Sequence, residues 1–134
     1  MNVRSSALSL LSGLESQGQY SNIALDTEIR RKGFDGADRA LLTALVYGTV
    51  ERKITLDYVI DGLSSIPPSK IEKATRNILR MGIYQLAYMD KIPDHAAINE
   101  SVEFAGKRSK GFVNALLRAF VRTGKQIPLP QREN

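Results

Sequence analysis

The chain has 134 residues, 43% apolar and 25% charged, with no cysteine and one histidine. That suits a single folded domain and excludes disulfides, thiolate metal sites and cysteine nucleophiles; no stretch is apolar enough to span a bilayer and no cleavable signal opens the chain, so a cytoplasmic protein is expected. The net charge of +5 is unevenly placed: residues 1–67 carry 7 Lys+Arg against 8 Asp+Glu, and residues 68–134 carry 12 against 6, which points to one basic face and a polyanionic partner.

Helical spacing dominates in chain order, and strand-like alternation is almost absent. Val3, Ala7, Leu10, Leu11 and Leu14 line one face of a first helix, ended by a turn near Gly18. Ser21 is placed to cap a second, with Ile23, Ala24 and Ile29 as its apolar positions and Gly33 as its stop. Asp35 is placed to cap a third helix, whose segment 40–47 is apolar except at Thr43 and so predicts burial nearly all round. A short helix with Leu56, Val59 and Ile60 follows, broken between Gly62 and Pro68. From Ser69 a long helix is predicted to about Met89, with Ile71, Ala74, Ile78, Leu79, Ile83, Leu86 and Ala87 inward. Pro93 forces a new start that Asp94 could cap, for a helix bearing Ile98, Val102 and Ala105. After Gly111, Phe112, Val113, Leu116, Leu117, Phe120 and Val121 define the last helix. The expected organisation is a domain over residues 1–125 and a linker-like tail over 126–134, whose two prolines invite a further segment beyond it.

Catalytic material is scarce. His95 sits just inside a helix start beside Asp94, better read as a cap than as half of a dyad, and Glu100 and Glu103 share one solvated turn. No phosphate-cradling glycine loop occurs. No metal, cofactor or enzymatic role is expected of this chain.

Basic residues, by contrast, recur at helical spacing. Lys110, Asn114, Arg118 and Arg122 fall four apart on the last helix, with Lys125 beyond, opposite its apolar stripe. Lys73, Arg76, Arg80 and Tyr84 repeat the device on the long helix, ending on an aromatic ring that could stack on an unpaired base, although partial burial is its commoner fate. Lys107, Arg108 and Lys110 add a basic loop between the last two helices. Asn99 and Asn114, both set in apolar segments, are expected to be polar ties between neighbouring helices.

Several of these segments carry a resemblance. IPDHAAINESVEFAGKRSKGFVNALLRAF (92–120) resembles the C-terminal signature of the NusB family, and RNILRMGIYQLAY (76–88) resembles the long helix preceding it. DRALLTALVYGTVERKITLDYVI (38–60) is most similar to the N-terminal, non-catalytic domain of the RsmB-type small-subunit ribosomal RNA cytosine methyltransferases. The resemblance covers about residues 3–124. It implies an all-α fold of about seven helices in two packed bundles, and contact with RNA.

In the methyltransferases the domain precedes a catalytic domain that uses S-adenosylmethionine and a cysteine thiolate, neither of which this chain could supply. In free-standing members it implies transcription antitermination together with a small-subunit ribosomal protein. Free-standing members often open with an arginine-rich segment, whereas Arg4 stands alone here, which moves the expected RNA contact toward the basic second half. The loop at 107–110 is also short, as in the methyltransferase domain. The expected RNA-binding set is Arg4, Arg76, Arg80, Lys107, Arg108, Lys110, Arg118 and Arg122, in an accessory domain that positions small-subunit ribosomal RNA for a methyltransferase domain outside this chain. The alternative expectations are a free-standing NusB-like transcription antitermination factor, or a domain that docks on that catalytic domain without touching RNA.

Overall fold

A computed structural model of the chain describes residues 3–17 and 22–128. The described residues form seven α-helices and one 3-10 turn, with no strand among them. They divide into two compact units, Met1–Glu51 and Arg52–Asn134. The expected turn at Gly18, the Ser21 cap and residues 129–134 of the tail lie outside the described residues.

The first unit contains α1 (Val3–Gln17), α2 (Asn22–Lys32) and α3 (Gly36–Glu51). α1 packs on α3 through a face that buries Val3, Ala7 and Leu11. Gly33, at φ 72°, closes α2 in the left-handed conformation that lets the Phe34 amide return to the Ile29 carbonyl, a bond that satisfies one of the helix's orphan acceptors. Leu25 and Ile29 are the inward residues of α2, while Ile23 and Ala24 face solvent, which corrects the apolar face expected from the sequence. Ser6 ties α1 to α2 by donating to Glu28 at 2.6 Å, and Arg31 donates to the same carboxylate. Burial opposes the charge of Glu28, but these hydrogen bonds and the Arg31 charge outweigh it and hold its pKa below the usual carboxylate range.

The second unit contains α4 (Lys53–Leu63), a 3-10 turn (Pro68–Lys70), α5 (Lys73–Tyr88), α6 (Asp94–Phe104) and α7 (Lys110–Arg122). The long helix expected from Ser69 starts later, because the 3-10 turn ends in extended backbone at Ile71. α5 packs against α4, α6 and α7, and every residue from Asn77 to Ile83 is buried. α5 is thus the helix whose middle turns are buried all round. The expectation had placed that role on 40–47, where Ala40 is exposed and only Leu42, Leu45 and Val46 are fully inward. The reason is compositional: Asn77, Arg80, Gly82 and Gln85 give α5 the pattern of a two-faced helix, yet each finds a partner or a close neighbour in the interior.

Pro93 takes the N-cap position of α6, so Asp94 is the first helical residue and not the cap; its carboxylate accepts from Lys125 Nζ at 2.7 Å. α7 buries Val113, Leu116, Leu117 and Phe120. It ends at Gly124, φ 88°, where the Lys125 amide bonds back to the Phe120 carbonyl. Lys125 therefore leaves the helical stripe to which its spacing had assigned it. Among the described residues no helix is long and apolar enough to cross a membrane.

Candidate nucleic-acid interface

The eight basic residues expected at an RNA surface meet different fates. Arg4 lies half-buried on α1 in the first unit, and the other seven lie in the second. Arg76 and Arg80, one turn apart on α5, face Asp57 and Asp61, one turn apart on α4. Arg80 grips Asp57 with a two-pronged contact, Nε to Oδ1 at 2.7 Å and Nη2 to Oδ2 at 2.9 Å, and its Nη1 donates to Asn77 at 2.9 Å. Arg76 donates to Asp57 at 3.2 Å, to Asp61 at 2.9 Å and to the Pro68 carbonyl at 3.1 Å. The Arg80 side chain is only 6% exposed, so this guanidinium is an interior group with a matched anion and does not form a phosphate-facing stripe.

That outcome corrects the basic stripe proposed for α5, and it has a simple origin. A helix face reads as surface when it carries arginines, but α5 has neighbours on three sides, and one of them presents carboxylates at the same four-residue spacing. Burial works against the charge on Asp57, yet the hydrogen bonds and charge of Arg80, and then of Arg76, more than compensate, and its pKa lies below the usual carboxylate range. The signal was present in the sequence as Asp57 and Asp61, four apart on the helix just before.

The remaining basic residues cluster about α6 and α7. The turn Gly106–Ser109 is closed by the Ser109 and Lys110 amides on the Gly106 carbonyl, and it presents Lys107 and Arg108 exposed. Lys110 folds back instead: its Nζ donates to the Val102 carbonyl at 3.0 Å and the Glu103 carbonyl at 3.4 Å, placing a cation on the carbonyls that end α6. Arg118 and Arg122 stand exposed on the outer face of α7, opposite the buried apolar stripe. Arg118 Nε donates to Asn114 Oδ1 at 2.9 Å, which steers the guanidinium while its other donors have no partner among the described residues. Asn114 is thus a tie within one helix and Asn99 is exposed, so neither links neighbouring helices as expected. The buried polar ties are Asn77 to Arg80, Gln85 to the Met81 carbonyl and Ser101 to the Ala97 carbonyl.

Among the described residues no group of His, Cys, Asp or Glu is arranged to hold a metal ion. The sequence of the second unit carries 14 Lys+Arg against 8 Asp+Glu, and Lys107, Arg108, Arg118 and Arg122 are the exposed members of the expected set.

The sequence profile of the NusB family matches residues 1–122, across both units. The chain belongs to the NusB family. Its all-α architecture is that of the family. It is 42% identical over 127 residues to the probable ribosomal RNA small subunit methyltransferase B of Bacillus subtilis, covering 92% of this chain and 28% of that protein. A relative of the same name in Synechocystis is 34% identical over 130 residues, covering 94% and 29%. Ribosomal RNA small subunit methyltransferase B of Yersinia pseudotuberculosis is 36% identical over 135 residues, covering 98% and 30%. The chain therefore spans less than a third of these relatives, in keeping with the N-terminal NusB-like domain of such proteins.

Proposed function

We propose that this domain binds small-subunit ribosomal RNA and positions it for a cytosine carbon-5 methyltransferase portion lying outside the 134 residues, in the cytoplasm. The observation that carries the reading is the outer face of α7 with the turn before it, where Lys107, Arg108, Arg118 and Arg122 are exposed and form no ion pair among the described residues. Four cations on one helix face and its leading turn can follow a phosphate backbone, and the relatives' names supply the class of RNA. Arg4, Arg76, Arg80 and Lys110 take structural parts or supporting charge in this reading.

The test is titration of a labelled single-stranded ribosomal RNA fragment at several salt concentrations, with a scrambled RNA beside it. Arg118→Ala with Arg122→Ala should weaken binding roughly tenfold at moderate salt and flatten the slope of log K against log salt by about 1.4, the loss of two single-strand phosphate contacts. An unchanged affinity and slope would remove α7 from the interface. Equal binding of the two RNAs would assign sequence choice to the methyltransferase portion. We also propose that the domain is non-catalytic: incubated with S-adenosylmethionine and ribosomal RNA, the chain alone should transfer no methyl group.

One observation favours docking on the catalytic portion as an additional role. On α4, Ile54 is 87% and Tyr58 68% exposed, one turn apart, and they lead to a groove of about 500 Å³ lined by Tyr58, Gly62, Leu63, Ile127 and Pro128. Apolar side chains so exposed and contiguous mark an interaction surface. Ile54→Glu with Tyr58→Glu should abolish association in trans with the methyltransferase portion of the Bacillus subtilis relative; retained association would discard the role.

A further inference from the structure

We infer that Arg52, Tyr84 and Tyr88 form a stacking platform for an unpaired base of single-stranded RNA. The inference rests on the RNA-binding reading above and adds to it a site built from residues outside α7. Arg52 is the residue that separates α3 from α4, with backbone angles of φ −109° and ψ 17° that take it out of the helical path. This swings its side chain over the last turn of α5, where Tyr84 and Tyr88 stand one turn apart. The guanidinium carbon lies 4.3 Å from the Tyr88 ring centre and 6.0 Å from that of Tyr84, and the rings lie 5.4 Å apart at a tilt of 31°.

Three planar groups thus share one patch within the second unit, and Tyr88 remains 36% exposed. The chemistry suits a nucleobase. Every base has a π face that stacks on tyrosine or on a guanidinium plane without demanding a particular sequence. The cation over the ring holds the aromatic side chains in place before the ligand arrives, which lowers the ordering cost of binding. The arginine also brings positive charge to the spot where the adjoining phosphate would pass. A bare clamp of Arg52, at the start of α4, against α5 would require only the packing of these side chains, and the two roles separate by substitution.

Tyr88→Leu keeps apolar bulk and removes the π face, whereas Tyr88→Phe keeps the face and removes only the hydroxyl. The probe is a single-stranded RNA oligonucleotide carrying one 2-aminopurine, read by affinity and by quenching of its fluorescence. The 134-residue wild-type chain and Tyr88→Phe should bind alike and quench alike; Tyr88→Leu should lose about tenfold in affinity and most of the quenching. Arg52→Ala should lose both signals as well. Wild-type quenching and affinity retained in Tyr88→Leu, with binding still weakened by Arg118→Ala and Arg122→Ala, would overturn the platform and leave the RNA-binding reading standing. No binding of the oligonucleotide by the wild-type chain would overturn both.

Discussion

Asp57→Ala should cost the chain about 3 kcal/mol of stability, read as a fall in the urea midpoint of the helical circular-dichroism signal. The carboxylate it removes balances Arg80, whose side chain is 6% exposed and cannot turn out to water without dragging α5 from its neighbours. Breaking a buried pair from one side leaves the other charge uncompensated, and this is why the loss exceeds what a surface salt bridge is worth. Asp57 itself is 27% exposed, so some water reaches the site and the figure sits at the low end of that range.

Restoring the balance should recover stability. Asp57→Leu with Arg80→Met replaces the pair by apolar groups of similar length and should return most of the loss. An unchanged midpoint in Asp57→Ala would show that the network contributes nothing to folding.

The same carboxylate predicts a pH dependence. Its pKa in the folded chain is depressed, so its contribution is fully present above the unfolded aspartate value of about 4 and disappears as the pH falls through the lower folded value. Wild-type stability should therefore fall across that acidic window more steeply than that of Asp57→Ala, the two curves drawing together at the acid end.

The second large effect concerns Gly82. A Cβ built on this residue would lie 2.9 Å from Ser101 Oγ and 3.1 and 3.2 Å from the Leu117 methyl carbons, so its bare backbone lets side chains of α6 and α7 pack directly against α5. Ser101 is held by its own bond to the Ala97 carbonyl at 2.8 Å, and Leu117 is fully buried, leaving little room to yield. Glycine inside a helix ordinarily costs about 0.5–1 kcal/mol relative to alanine, a cost this position accepts in return for close packing.

Gly82→Val should destabilise by about 2–3 kcal/mol through overpacking, with Gly82→Ala milder in the same direction. Thermal unfolding of the two variants checks the order. A stabilised Gly82→Ala would mean that the three helices can separate freely there.

Much of the domain's organisation follows from local chemistry alone. Pro67, Pro68 and Pro93 interrupt helices wherever they fall, because they lack an amide hydrogen and restrict the residue before them. The apolar spacing of α7 sets its inner face, which the packed structure retains at Val113, Leu116, Leu117 and Phe120. The motifs around Asn99 and Asn114 identified the family, although neither asparagine plays the interhelical part expected of it. The exposure of Lys107 and Arg108 was also legible, since a short polar turn between two helices ordinarily faces water.

Tertiary packing decided the remainder. Whether an arginine meets solvent or a carboxylate depends on what the neighbouring helix presents, so the periodicity of α5 could not distinguish Arg76 and Arg80 from Arg118 and Arg122. Lys110 and Lys125 were claimed by groups brought near through the turns, the carbonyls ending α6 and the carboxylate of Asp94. Arg52 meets Tyr88 across 36 residues of sequence. Helical spacing specifies the direction of a side chain about its own axis; only the packed neighbours determine what lies in that direction.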